Sequence, residues 1–125
     1  MAQVPTEKSY TTQKVSMRTY YCPVEVTLEK IGGKWKPLIL WHLRARTLRF
    51  RELAREIPNI TEKMLTEKLR ELEADGLVHR EVYREVPPRV EYSLTSYGRG
   101  LDGILQQLCD WGKQHARRHK IRIGA

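Results

Sequence analysis

The stretch FRELAREIPNITEKMLTEKLRELEADG, residues 50–76, decides the fold. It begins with apolar residues at helical spacing, which are Phe50, Leu53, Ala54 and Ile57. Pro58 and Asn59 break this pattern, and Thr61 is a typical N-cap for a second helix that ends near Gly76. The apolar face of the second helix consists of Leu65, Leu69 and Leu72. Two short amphipathic helices joined by a tight break predict a helix-turn-helix.

Two further helices are predicted upstream of this pair. The first begins at Cys22-Pro23, because proline suits the first helical position, and it stops at Gly32-Gly33. The second covers residues 35–45 and is apolar nearly all round, which is typical of a helix at the centre of a core. Residues 47–49 form either an edge strand or a loop.

A β-hairpin and a last helix are predicted downstream. Residues 77–84 are rich in Val and Tyr, and residues 89–94 alternate between apolar and polar side chains across a turn that contains two prolines. Thr95 then caps a helix whose apolar positions keep a helical period. This order predicts an α+β, mostly helical fold: a winged helix-turn-helix with extra N- and C-terminal helices.

The second helix of the helix-turn-helix would be the recognition helix. At 100° per residue, the face opposite its leucines carries Lys63, Glu67 and Arg70, with Thr66 on the flank and Thr61 at the start. Arginine can read guanine through two hydrogen bonds, and threonine can contact the methyl group of thymine. We therefore predict DNA contact for these five residues; the alternative is a charged face that is simply solvated.

Four further arginines are candidates for DNA contact. Arg84 and Arg89 belong to the hairpin, or wing, beside its two prolines and suit an adjacent phosphate or the minor groove. Arg49 and Arg51 lie near the first helix of the pair, where contact with the DNA backbone is expected.

The composition limits the classes of protein. The chain has 125 residues, enough for one domain, and 40% of them are hydrophobic, so a folded core is expected. With 23 Lys and Arg against 15 Asp and Glu, the net charge of +8 favours a polyanionic partner. No run of about 18 apolar residues occurs, so no membrane span is predicted. The polar N-terminus predicts no secretory signal, and two cysteines are consistent with a reducing cytoplasm.

We divide the chain into three parts. Residues 1–20 are predicted to be a flexible or partly helical arm, and residues 21–112 to be the winged helix-turn-helix domain with its flanking helices. Residues 113–125 form a basic end, which is either a solvated end or a tail that contacts phosphates.

An enzyme is not expected. No pattern of catalytic serine, histidine and aspartate, no phosphate loop and no metal-ligand spacing occurs, so no cofactor and no metal are predicted. The alternative to DNA binding is a winged-helix protein-interaction module without sequence-specific DNA binding. Such a module would lose little affinity at raised salt, whereas DNA binding weakens steeply with salt.

The sequence resembles the HxlR-type winged helix-turn-helix regulators, which are relatives of the MarR group. The resemblance covers about residues 22–112. Its most specific parts are the Gly-Gly-Lys-Trp run at 32–35 and the proline-bearing wing with its Tyr-Ser-Leu-Thr exit at 92–95. The other matching stretches are Cys22-Pro23 and residues 49–53, 63–66 and 69–78.

The resemblance implies a cytoplasmic transcription regulator of bacteria or archaea, here expected to repress. It implies a homodimer built by the first and last helices and bound to an inverted-repeat operator. The apolar face of the last helix agrees with this, because it offers more apolar surface than three small helices can cover. The expected interface residues are Leu101, Ile104, Leu105, Leu108 and Trp111. The expected partners are double-stranded DNA, a second copy of the chain, and a small-molecule or electrophile effector.

Members of this family with a cysteine before the proline of the first helix often sense oxidants or electrophiles, and Cys22 occupies that position. A thiol at a helix N-terminus also feels the positive end of the helix dipole, which favours the reactive thiolate, and Arg18 would add to this if the arm is helical. The alternative is that Cys22 is a small buried apolar residue. Cys109 is interpreted as a packing residue of the last helix, although a bond between Cys22 and Cys109 of two subunits is conceivable.

Overall fold

The computed structural model describes residues 19–124, and its element order is the predicted one. The chain forms five α-helices, α1 (Pro23–Ile31), α2 (Trp35–Leu43), α3 (Phe50–Glu56), α4 (Glu62–Ala74) and α5 (Asp102–His119). Its strands are β1 (Leu48–Arg49), β2 (Val78–Tyr83) and β3 (Arg89–Leu94). A short 3-10 helix, Gly98–Leu101, leads directly into α5. Most of the arm predicted for residues 1–20, Arg18 included, lies outside the described residues.

The sheet is a β-hairpin with one short strand added. β2 and β3 pair antiparallel from Val78↔Leu94 to Tyr83↔Arg89, and β1 pairs with the other edge of β3 through Leu48↔Tyr92. The segment 47–49, which the sequence left open between a strand and a loop, is therefore the edge strand of a three-stranded sheet.

The core lies where the central helix meets the helix-turn-helix and the sheet. α2 contributes Ile39, Leu40 and Leu43 with no exposed surface, as its apolar sequence predicts. The three leucines of α4 are buried as well, and Leu94 of β3 covers the core from the sheet side. The burial of aliphatic side chains from every layer is the main stabilising contribution, at about 25 cal/mol per Å² of apolar surface. In the part of the chain described, no helix is long and apolar enough to cross a membrane.

Thr61 and Gly76 bound α4 as predicted. The Oγ1 atom of Thr61 accepts a hydrogen bond of 3.0 Å from the backbone N–H of Met64, which satisfies one of the unpaired donors of the first turn. Gly76 follows the helix with φ = +79°, a left-handed conformation that a side chain would disfavour. Both ends of the recognition helix are thus set by local sequence.

Thr95 joins the end of α4 to the start of the segment that becomes α5. Its hydroxyl donates a hydrogen bond of 2.6 Å to the carbonyl oxygen of Gly76 and accepts one of 2.8 Å from the backbone N–H of Gly98. Gly98 packs directly against the carbonyl oxygen of Leu77, where a Cβ atom would collide with it. The sequence predicted that Thr95 caps α5, but Thr95 instead binds the N–H of the first residue of the 3-10 helix ahead of α5, whose N-cap residue is Tyr97.

α5 is longer than the sequence pattern indicated. It runs through Gly112 to His119, so residues 113–119 of the predicted basic end continue the helix. Lys120 then adopts a left-handed conformation with φ = 56°, and the N–H of Ile121 donates to the carbonyl oxygen of Ala116 at 2.8 Å. The apolar pattern of α5 is weak after Gly112, because Ala116 is the one buried residue in that part of the helix.

Candidate DNA-binding surface

The outward face of α4 carries three charged side chains. Lys63, Glu67 and Arg70 are all exposed, whereas the leucines on the opposite face are at most 1% exposed. None of the three forms an ion pair with another described residue. Their charges are therefore available to a partner, and the helix presents two cations and one carboxylate along two turns.

The two threonines of α4 have different surroundings. Thr61 is exposed, but its oxygen is engaged in the N-cap described above. Thr66 is half-buried on the flank of the helix. Thr61 therefore acts on α4 itself, and its position at the first turn is the one at which residues enter a DNA groove in this class of motif.

Arg49 and Arg51 are exposed at the start of α3. The backbone N–H of Arg49 donates a hydrogen bond of 2.8 Å to Oε1 of Glu52. This hydrogen bond holds the pKa of Glu52 below its ordinary value, and the charges of Arg46, Arg49 and Arg55 add to the effect. The N-terminus of α3 is thus a basic surface with one fixed carboxylate.

The two candidate arginines of the wing differ in their contacts with other residues. Arg89 donates from Nη2 to Oε2 of Glu85 at 2.8 Å and from Nη1 to Oε2 of Glu91 at 2.6 Å. Its guanidinium carbon also lies 3.9 Å from the ring centre of Tyr83. The hydrogen bond that Arg89 donates to Glu85 raises the pKa of Arg89 and lowers the pKa of Glu85. Arg84 is exposed and has no ion pair within residues 19–124.

Two contacts of this surface were not predicted from the sequence. Tyr83 supports Arg89 because the hairpin register places the two residues directly opposite each other. Lys36 of α2 is buried and forms an ion pair with Glu71 of α4. The contact between Tyr83 and Arg89 could have been predicted if the register of the hairpin had been known. The burial of Lys36 could not, because no sequence pattern indicates a buried lysine.

The expected interface residues of the last helix fall into two groups. Ile104, Leu108 and Trp111 are 43%, 53% and 65% exposed, and they line one face of α5 at helical spacing. Leu105 is 2% exposed and packs in the core of its own chain, and Leu101 is half-buried against the same core. Leu105 therefore packs within its own chain, and the interface role of all five residues stays a prediction.

Cys22 and Cys109 are both half-buried and free. Cys22 is the N-cap residue of α1, directly before Pro23, as predicted. Cys109 lies in the middle of α5. Within the described residues, no group of three or more His, Cys, Asp or Glu side chains is arranged to hold a metal ion.

A buried helix, a helix-turn-helix with a charged outer face and a β-hairpin wing together define a winged helix-turn-helix transcription regulator. The chain belongs to the HxlR-like helix-turn-helix family, whose sequence model matches residues 30–120. The resemblance seen in the sequence is thereby confirmed.

The chain is also similar to individual proteins that are transcription or redox regulators. The HTH-type transcriptional regulator YtcD of Bacillus subtilis is 58% identical over 101 residues, which are 81% of this chain and 80% of that protein. The structure of the redox regulator HypR in its reduced form is 51% identical with a TM-score of 0.76, and the match covers 81% of this chain and 100% of that one. Diamide-treated YodB of B. subtilis is 37% identical with a TM-score of 0.64, over 77% of this chain and 96% of that one.

Proposed function

We propose that the chain is a cytoplasmic, sequence-specific DNA-binding repressor that acts as a homodimer on an inverted-repeat operator, and that oxidation or electrophile modification of Cys22 controls it. The observation that carries the proposal is the outward face of α4, on which Lys63, Glu67 and Arg70 are exposed without ion-pair partners among the described residues. An arginine and a lysine at such positions can hydrogen-bond to base edges in the major groove.

Exposed apolar surface supports the homodimer. α1 buries only Ile31 within the protomer, although Val24 and Leu28 on the same helix are 56% and 60% exposed. A nine-residue helix with so little packing is marginal in water. A second copy that covers Val24 and Leu28 together with the exposed face of α5 would stabilise it, and two-fold symmetry then matches an inverted repeat.

The location of Cys22 supports the redox control. The thiol belongs to α1, so a change at Cys22 acts on a helix that we assign to the subunit interface. The redox regulators HypR and YodB share this fold. Modification of Cys22 would shift α1 and with it the separation of the two recognition helices, which must lie about one DNA turn apart.

The first experiment recovers DNA. The reduced protein is incubated with fragmented bacterial or archaeal genomic DNA at moderate salt, and the retained fragments are sequenced. We expect one inverted repeat to dominate, with half-sites about one helical turn apart. Recovery of fragments without a shared motif would contradict the proposal and favour the protein-interaction module.

The second experiment tests Cys22. The recovered repeat is titrated with parent, Cys22→Ser and Cys109→Ser proteins, before and after treatment with diamide. We expect all three to bind when reduced, and Cys22→Ser to keep its affinity after treatment, because diamide can then no longer oxidise Cys22 and a second thiol to a disulfide. An equal response of parent and Cys22→Ser would end the sensing role of Cys22. Cys109→Ser identifies the second thiol: a retained response assigns it to Cys22 of the other subunit, and a lost response assigns it to Cys109.

A further inference from the structure

Lys36 is the one charged residue that the described part of the chain buries. It is 8% exposed, at the second position of α2. Its Nζ atom lies 2.9 Å from Oε1 of Glu71 on the recognition helix α4. The stem of the lysine is thus covered by protein while its ammonium group meets a carboxylate that is half exposed.

The folded protein favours the carboxylate form of Glu71. Burial alone would raise the pKa of Glu71, but the hydrogen bond and charge of Lys36, together with Lys68 at 3.5 Å, outweigh it and hold the pKa below its ordinary value. The interaction is therefore a charge-assisted hydrogen bond, which is directional as well as attractive.

Glu71 lies at a position from which its contact with Lys36 can fix the orientation of α4. Glu71 directly follows Arg70, and it lies on the flank of α4 between the DNA-facing side and the leucine face. The leucines hold α4 against the core through contacts that have little directional preference. The carboxylate on the flank is bound to one atom of α2, so it restricts the rotation of α4 about its own axis.

We infer that Lys36 is a positioning residue for DNA reading: through Glu71 it sets the rotation of the recognition helix, and with it the placement of Arg70. This inference rests on the proposed DNA-binding function. Side-chain ends lie about 5–6 Å from a helix axis, so a rotation of about 10° moves them by about 1 Å. The range of good donor–acceptor distances is only about 0.5 Å wide. A small rotation of α4 is therefore enough to weaken a base contact.

A double variant separates positioning from stability. Lys36→Met with Glu71→Leu removes one positive and one negative charge, so the net charge and the general attraction to phosphates stay the same. Replacement of a buried ion pair by apolar side chains is often neutral for stability, whereas removal of one partner alone is destabilising. The double variant should therefore melt near the parent temperature, unlike Lys36→Met alone.

The measured quantity is discrimination, defined as the ratio of affinities for the recovered repeat and for a scrambled duplex of equal length. We expect the double variant to bind the scrambled duplex within about twofold of the parent and to lose about tenfold in discrimination, as for one weakened base contact. The control is Arg44→Met with Asp102→Leu, which also removes one positive and one negative charge that form an ion pair, but outside α3, α4 and the wing, and should leave discrimination unchanged.

The outcomes are distinct. Parental discrimination in the double variant would overturn the inference, because apolar packing alone would then position α4. If the double variant does not fold, Lys36→Met alone, which removes the donor of the contact, is measured at a temperature at which circular dichroism shows it to be folded: a loss of discrimination supports the inference and an unchanged value overturns it. A parent protein that binds both duplexes equally contradicts the proposed function itself, which separates that failure from a failure of the positioning role.

Discussion

The guanidinium of Arg89 lies over the ring of Tyr83, directly across the hairpin, while its two terminal nitrogens bind Glu85 and Glu91. All of its strong interactions are thus made within the wing. An arginine bound in this way still has three N–H groups, but its charge is already balanced by two carboxylates, so it attracts a phosphate less strongly than an unpaired arginine. Of the two arginines predicted to contact DNA from the wing, Arg84 is the one without an ion pair in residues 19–124.

We therefore expect Arg84→Ala and Arg89→Ala to differ in the salt dependence of DNA binding. A lost phosphate contact reduces the slope of log affinity against log salt by about 0.9. Arg84→Ala should show this reduction, and Arg89→Ala should keep the parental slope. Fluorescence anisotropy titrations of the recovered repeat at several salt concentrations measure it. A reduced slope for Arg89→Ala with an unchanged one for Arg84→Ala would reverse the assignment.

Arg70→Ala should weaken operator binding by about 1–3 kcal/mol, because a base contact of the recognition helix is lost. The same titration on a scrambled duplex should change much less. Arg99→Ala is the matched control: it removes an exposed positive charge outside α4 and the wing, in the short helix before α5. Equal operator binding by Arg70→Ala and the parent would remove Arg70 from the reading face.

Thr61→Ala should lower the free energy of unfolding by about 1 kcal/mol, since the N–H of Met64 loses its acceptor at the start of α4. Urea unfolding followed by circular dichroism measures this loss. Thr61→Ser retains the hydroxyl oxygen and should restore most of the stability. If the serine variant is as unstable as the alanine variant, the cap does not explain the effect.

Glu71 should make stability depend on acid pH. Because the folded protein holds the pKa of Glu71 below its ordinary 4.5, the carboxylate stabilises the fold above that pH. This contribution is lost as the pH falls through the lower, folded value. Glu71→Gln should therefore lose less stability than the parent between about pH 5 and pH 3 in urea unfolding.

The control for this comparison is Glu73→Gln, two residues along α4 and on its opposite flank, which removes a carboxylate and leaves the contact between Lys36 and Glu71 in place. Glu52 and Glu85, whose pKa values are also lowered, contribute to the slope in every variant. Only the difference between variants therefore reports on Glu71. Parallel profiles for Glu71→Gln and the parent would contradict the prediction.

Leu108→Asp should convert the proposed dimer into a monomer, because it places a charge in the middle of the exposed apolar face of α5. Sedimentation velocity at several protein concentrations measures the change. Val86→Asp, which alters a fully exposed apolar residue of the wing, is the control and should stay dimeric. A dimeric Leu108→Asp would exclude this face as the interface.

The helices and the hairpin could be predicted because their signals are local. The leucine spacing of α4, the cap at Thr61 and the turn at Gly76 act within a few residues, so the sequence shows them directly. The exposure of Lys63 and Arg70 follows from the same periodicity, because they lie opposite the leucines. The family resemblance added the assignment of the chain to the HxlR-type regulators.

The contacts that were missed depend on tertiary packing. The partners of Arg89 follow from the register of the hairpin. The geometry of the turn sets this register, and the alternation of side chains alone does not predict it. Leu105 and Leu108 lie on neighbouring parts of one apolar pattern, and only the packing of α5 against α2 decides which of them is buried. The burial of Lys36 depends on the packing of α2 against α4, where it pairs with Glu71, and no local pattern predicts this contact.

The hydroxyl of Thr95 has a mechanical consequence. It bonds at once to Gly76, where the recognition helix has just ended, and to Gly98, where the segment leading into α5 begins. These hydrogen bonds join two segments that the hairpin separates along the chain. In the dimer that we propose, we therefore expect a displacement at the start of α5 to move the end of α4 with it and so to change the spacing of the two recognition helices.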